Sequence, residues 1–266
     1  MLAKEAGREC AGELSKMRIM QDVYLVASGQ IRLSHPSDCH VYLLDWGGEL
    51  ALVDAGVGQD VARIVANIRE EGFDERRITQ LLLTHCHADH AGGCQQIQAL
   101  THCEIVCSEL EGELLESSTD EEIGLDIAKR SALYPPDYAF QRVRPQHLVH
   151  HDEIVKVGKH QVQAIVVPGH SKGSTCYLLQ QKGRRILFSG DTVFFGGTIG
   201  LGNWPGSSLD DYRQYIGRLS GLAVDALLPG HFLWTLEDGQ KHLDKAVENL
   251  KLAWVPPAWE HHHAHR

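Results

Sequence analysis

The sequence predicts an α/β fold in which two sheets are covered by helices within one domain. Three observations carry this expectation. Short apolar or alternating blocks, rich in β-branched and aromatic residues, recur between Gly, Ser and Pro. A few amphipathic helical patterns separate those blocks. No fixed-period repeat and no linker interrupts the 266 residues, a length that buries a substantial core.

Taken in order, residues 1–17 read as a polar N-terminal extension and residues 18–258 as the domain. Strands are expected at 23–27 (VYLVA), 40–44 (HVYLL) and 50–56 (LALVDAG). Val61, Ile64, Val65 and Ile68 recur at i, i+3, i+4 and i+7 ahead of Gly72, the pattern of a helix with one buried face. A buried strand at 81–84 runs into a His-rich segment, and a helix over 94–100 and a strand at 104–107 follow. Residues 109–144 are acidic, are broken by Pro135 and Pro136, and have a weak helical period at Ile123, Ile127 and Leu133. They read as an insertion that covers a substrate site.

Strands resume at 154–157, 161–167, 175–179 and 185–188, before a Gly-rich loop, FFGGTIGLGNWPG. A helix capped by Ser207 or Ser208 places Leu209, Tyr212, Ile216 and Leu219 on one face. The last strand, 225–228, leads to Pro229-Gly230-His231, and a C-terminal helix carries Leu243, Ala246, Val247, Leu250 and Trp254 on its apolar side. Residues 259–266 form a His-rich tail, set apart from any site.

Composition narrows the function classes. A formal charge of −10 removes the global attraction that nucleic-acid binders exploit, so no nucleic-acid partner is expected. No apolar run approaches the roughly 18 residues of a bilayer span, and charges occupy the N-terminus where a secretory signal would be apolar. Seven Cys without a CxxC pair give neither a disulfide framework nor a zinc ribbon. These features predict a cytoplasmic protein acting on a small molecule. They leave its oligomeric state open.

The chemistry concentrates in Thr84-His85-Cys86-His87-Ala88-Asp89-His90, directly after an apolar strand. Burying so many imidazoles and a carboxylate without a partner is expensive, and a metal ion removes that cost. Three more segments repeat one design, in which an apolar strand ends in a tight turn presenting one ligand-capable side chain. They are Val167-Pro168-Gly169-His170, Phe188-Ser189-Gly190-Asp191 and Leu228-Pro229-Gly230-His231. Cys86, between ligands, is read as pointing away and as a buried filler instead of a nucleophile.

In order along the chain, Asp54, His85, His87, Asp89, His90, His170, Asp191 and His231 resemble the motifs of the metallo-β-lactamase-fold superfamily of hydrolases. That resemblance implies a four-layer αββα sandwich with the metal site at one edge of the two sheets. It implies two divalent ions, zinc first and iron or manganese as alternatives. His85, His87 and His170 would hold one ion; Asp89, His90 and His231 the other; and Asp191 would bridge them. Asp54 would position the His loop without binding metal. A bridging hydroxide would attack a thioester, lactone or ester, with Asp89 and Asp191 as the catalytic carboxylates.

The bridging Asp191 separates the chain from the true β-lactamases, which lack it, and aligns it with the glyoxalase II-like and lactonase-like branches. It departs from the former at Leu201, Gly202 and Asn203, and from the latter at Phe194, where a Tyr is usual. Phe194, Phe195, Trp204 and Phe232 are candidates for an apolar substrate pocket. The alternative reading is a mononuclear iron persulfide dioxygenase, with a β-lactamase or a nuclease of the same fold ranked below it.

Overall fold

The computed structural model describes residues 17–258 apart from Lys159; most of the expected N-terminal extension and all of the His-rich tail lie outside the described residues. One sheet holds seven strands in chain order: β1 (Arg18–Met20), β2 (Val23–Ala27), β3 (Val41–Asp45), β4 (Leu50–Val53), β5 (Ile78–Leu82), β6 (Glu104–Ser108) and β7 (His147–Val149). The second holds five, β8 (Glu153–Val157), β9 (His160–Val166), β10 (Thr175–Gln181), β11 (Arg184–Gly190) and β12 (Ala226–Pro229), in the order β12-β11-β10-β9-β8.

Helices cover the outer faces. On the first sheet, Ile64 and Ile68 of α1 (Val61–Glu70) and Ile97 of α3 (Cys94–Thr101) pack with Leu43, Leu52, Leu81 and Ile105. Between the sheets, Val53, Leu82 and Val106 meet Val162, Tyr177, Phe188 and Leu228. On the second sheet, Tyr212 of α6 (Leu209–Tyr215) and Leu243, Ala246 and Leu250 of α7 (Gly239–Leu250) cover Ile165, Leu178 and Leu187. The result is the expected αββα sandwich, each strand burying alternate residues on opposite sides. No helix among the described residues is long and apolar enough to cross a membrane.

The strand boundaries explain where the chemistry sits. β4 stops at Val53 because Asp54 adopts φ of 64°, and β5 stops at Leu82, two residues before Thr84. β4, β5 and β6 are mutually parallel, so their C-terminal ends share one edge. β9 and β11 both lie antiparallel to β10, and β12 is parallel to β11, so their C-terminal ends also share an edge. Polar contacts join the two edges: Thr175 N donates to Thr84 O at 2.9 Å, and the Tyr177 hydroxyl donates to Leu83 O at 2.9 Å. The Tyr42 hydroxyl reaches Pro229 O at 2.6 Å.

Several elements differ from the sequence expectation. Residues 109–144 contain α4 (Glu109–Ser117) and α5 (Leu125–Arg130), separated by a turn at Gly124. A short helix, α2 (Ala88–Ala91), forms within the His motif, directly after the extended His87. β1 and β7 are three-residue edge strands, too short to produce a readable alternation. The C-terminal helix ends at Leu250, and Trp254, placed on its apolar side by spacing, is 66% exposed beyond it.

Candidate metal centre

The motif residues converge on the shared edge. Leu83 to His87 leave β5 as a loop, and α2 then turns His90 back toward the sheet. His90 is fully buried, while Asp89 remains more open, with 15% of its side chain exposed. His170 follows β9, Asp191 follows β11 and His231 follows β12, each beyond a glycine. The approach is too close for side chains at two of the neighbouring glycines. A Cβ at Gly230 would lie 2.5 Å from both Asp191 Oδ1 and His90 Cε1, and one at Gly200 would lie 2.6 Å from His170 Nδ1.

Two groups of potential ligands form. In the first, His170 Nε2 is 3.0 Å from His85 Nε2 and 2.9 Å from His87 Nδ1. In the second, His231 Nε2 is 3.0 Å from Asp89 Oδ2 and 3.2 Å from His90 Nε2. Asp191 lies between them. Its Oδ1 is 3.3 Å from His90 Nε2, and its Oδ2 is 3.8 Å from His170 Nε2 and 3.6 Å from His231 Nε2.

The far side of each of three rings fixes its tautomer. His90 Nδ1 donates to Asp54 Oδ2 at 2.8 Å, and His170 Nδ1 donates to Gly200 O. His85 Nδ1 pairs with Thr84 Oγ1 at 3.0 Å, whose own proton is taken by Asp54. With the protons on those outer nitrogens, His85 Nε2 and His170 Nε2 confront each other as bare lone pairs, a repulsive contact that a shared cation converts into ligation. Ligand nitrogens about 2.0–2.1 Å from a tetrahedral ion would be roughly 3.3 Å apart, close to the spacing seen. Asp191 Oδ1, buried and without a hydrogen-bond donor among the described residues, fits the same cation.

The electrostatics are those of a site built for positive ions. Burial and the neighbouring imidazoles push His85 well below the ordinary histidine value, lower His170, and bring His87 down to about 3, so these rings offer neutral nitrogens. Burial disfavours charge on Asp191, yet His231 and His90 hold it at about 2. Burial likewise opposes ionisation of Asp89, and His90 and His231 outweigh it, keeping the carboxylate low. Burial lowers His90, but Cys39, Asp191, Asp89 and Asp54 together drive it well above the usual value.

Of the aromatic candidates, Trp204 stands against His87 and His170, with ring centroids 5.4 Å from each, and its Nε1 donates to His170 O at 3.1 Å. Phe232 lies beside His231, backed by buried Phe194 at 5.2 Å. Phe195 is turned away onto His242 of α7, at 4.3 Å. Cys86 is buried in the core beneath the loop, and burial raises its thiol well above the ordinary value, so it supplies no thiolate.

Three residues near the centre lie outside the motifs read from the sequence. His40 is buried between Ser28 Oγ and Phe232 O, each 2.9 Å from a ring nitrogen. Tyr134 stacks on Tyr138 and lays its phenol against Asp89, and burial together with that carboxylate raises it well above the usual tyrosine value. Glu111 is buried on α4. The spacing Ser108-x-x-Glu111 is that of a capping box, which would have drawn attention to it, yet Ser108 makes no side-chain cap here.

The family model for the metallo-beta-lactamase superfamily matches residues 36–231. An acyl-coenzyme A thioesterase of Gallus gallus, MBLAC2, is 30% identical over 198 residues, covering 68% of this chain and 68% of that protein. The atrochrysone carboxyl ACP thioesterase of Aspergillus fumigatus is 29% identical over 221 residues, 83% of this chain and 58% of its own length. Among solved structures, the subclass B3 metallo-beta-lactamase BJP-1 of Bradyrhizobium japonicum is similar with a TM-score of 0.61 and 27% identity, over 79% of this chain and 75% of that one.

Proposed function

Because this chain belongs to the metallo-beta-lactamase superfamily, we propose that it is a hydrolase that cleaves a thioester, or a related carboxylic ester bond, at a centre of two divalent ions, zinc in the first place. The observation that carries this reading is the position of Asp191, whose carboxylate lies within 4 Å of both ligand groups, Oδ1 beside His90 and Oδ2 beside His170 and His231. A single-ion iron centre would have no use for the second group, which weighs against a persulfide dioxygenase. The names of the two thioesterase relatives favour a thioester over a lactone.

In this reading His85, His87 and His170 hold one ion, Asp89, His90 and His231 the other, and Asp191 bridges. Bound there, two divalent ions would lower the pKa of a water toward neutrality and polarise the substrate carbonyl. The chain's own contributions are distinct. Asp89 is the most open of the three carboxylates, so it orients the attacking water and receives its proton. Tyr134 sets its phenol beside Asp89, where it can steady that carboxylate. Trp204 and Phe232 wall the approach and exclude bulk water from the reacting carbonyl.

Metal content and thioester turnover test the reading together, on protein ending before His261 so that the tail does not contribute. Two ions per chain, with thiol release from an acyl-coenzyme A probe that stops on chelation and returns with zinc, is the expected result. One iron per chain with oxygen consumption on a persulfide would replace it with the dioxygenase. Undiminished hydrolysis after complete metal removal would overturn both.

A further inference from the structure

The carboxylate of Glu111 is completely buried, and no step proposed above uses it. Its Oε2 accepts the Cys86 N–H at 2.7 Å. Its Oε1 accepts the Gly173 N–H at 2.8 Å and the Ser171 hydroxyl at 2.7 Å. Cys86 lies between His85 and His87, and Ser171 directly follows His170. One side chain from α4 therefore ties together the two loops whose histidines form the first ligand group.

The surrounding contacts make this tie rigid. Ser171 N donates to Ser174 Oγ at 3.0 Å, and Ser108 Oγ donates to Gly173 O at 2.6 Å, so the turn after His170 is held at both ends. A Cβ on Gly173 would lie 2.4 Å from Ser108 Oγ and 3.0 Å from Glu111 Cγ, so only glycine lets the turn come this close. Burial raises the Glu111 carboxyl, while Ser171, Gly173 and Cys86 pull it back as donors. All three partners are donors, which suits a carboxylate and does not suit an amide, whose NH₂ would have to face an N–H or O–H.

We propose that Glu111 is a positioning residue for the His85–His87–His170 site: it sets the separation of the two loops, and through it the affinity of that site, and not of the Asp89–His90–His231 site, for its ion. The inference rests on the two-ion reading above. Glu111→Gln keeps the length of the side chain and removes one acceptor, so the loops shift by tenths of an ångström where ligation is most sensitive to distance. Ser171→Ala removes a single donor and is the milder probe.

The test is stepwise zinc release from the metal-loaded full chain against a graded chelator, comparing wild type, Glu111→Gln and Ser171→Ala. His231→Ala, which removes a ligand of the second group alone, marks the other ion, and the tail contributes equally to every variant. In Glu111→Gln one zinc is expected to weaken about 10- to 100-fold, the range for loss of an outer partner, while the ion marked by His231→Ala stays within about twofold. Ser171→Ala weakens the same ion by less, with circular dichroism and Tm close to wild type. Unchanged release of both ions overturns the inference, and so does equal weakening of both with a falling Tm, which is a purely structural effect. If Glu111→Gln does not fold, unchanged zinc affinity in Ser171→Ala overturns it. Wild-type protein that retains no zinc overturns the two-ion reading as well, whereas two zinc ions on the wild type with unaffected variants overturn the Glu111 role alone.

Discussion

Asp54 Oδ2 accepts the Nδ1–H of His90 at 2.8 Å while Asp54 Oδ1 accepts the Thr84 N–H, also at 2.8 Å, so one carboxylate orients a ligand ring and anchors the loop that carries the others. Asp54→Asn tolerates the left-handed backbone at this position, since Asn accepts φ near 64°. Its NH₂, however, cannot receive both protons. If it faces His90, the ring proton moves to Nε2 and blocks the metal-facing nitrogen. Asp54→Asn is expected to keep the fold and to weaken the ion at Asp89, His90 and His231 about 10- to 100-fold. Zinc titration measures this, and wild-type affinity in the variant would mean that the tautomer is held by something else.

Asp191→Ala removes the only carboxylate within 4 Å of both His90 and His170 among the described ion pairs. The side chain is buried at the sheet edge and contributes nothing to the apolar layers, so the far-ultraviolet spectrum should not change. Turnover is expected to fall by about a thousandfold or more, the scale on which loss of a residue acting in a catalytic unit is felt. Full activity in Asp191→Ala would rule out a bridged pair of ions.

The ligands themselves were legible because each sits at a junction that the chain must punctuate. A strand has to end in a turn, and Pro168-Gly169, Gly190 and Pro229-Gly230 mark those ends beside His170, Asp191 and His231. The layers were legible for a similar reason, since Ile64 and Ile68 repeat at helical spacing against a strand that repeats at two. Glu111 and His40 were not, because their partners are remote: Glu111 meets Cys86 25 residues away, and His40 meets Phe232 192 residues away. Tyr134 sits in an acidic stretch whose pattern reports no face, so nothing in its neighbours points to Asp89. Phe195 illustrates the converse, an aromatic near the ligand turns in sequence that packs on α7 in space.

His40 makes the acid side of the stability curve steep. Its Nε2–H donates to Phe232 O and its Nδ1 accepts from Ser28, which satisfies the neutral ring, so a second proton would have to turn the Ser28 hydroxyl and leave a buried charge. Burial, only partly offset by the Phe232 carbonyl, lowers it to about 4, against about 6.5 when unfolded. A depressed histidine binds fewer protons folded than unfolded across that window. Its contribution is therefore present above pH 6.5 and is lost as pH falls toward 4. Between pH 7 and pH 5 the loss amounts to about 2 kcal/mol. Chemical denaturation of wild type and His40→Gln at the two pH values isolates it: the gap between them should shrink by that amount, and a constant gap would mean that His40 is not held neutral.

Tyr134 tests whether the segment that follows α5 belongs to the chemistry. Its ring is held by stacking on Tyr138 at 5.2 Å, and the Tyr138 hydroxyl is itself anchored on Val57 O at 2.8 Å, so the phenol is delivered to Asp89 by a braced pair and not by a free loop. Tyr134→Phe preserves that stacking and deletes one hydroxyl. If the hydroxyl fixes the orientation of Asp89, kcat for a thioester should fall about tenfold, the scale of one lost hydrogen bond of about 1.4 kcal/mol, with zinc stoichiometry unchanged. KM should move little, because the interaction is made to the enzyme's own carboxylate and not to the substrate. A rise in KM at constant kcat would instead make Tyr134 a substrate contact, and unchanged kinetics would confine the segment to covering the site.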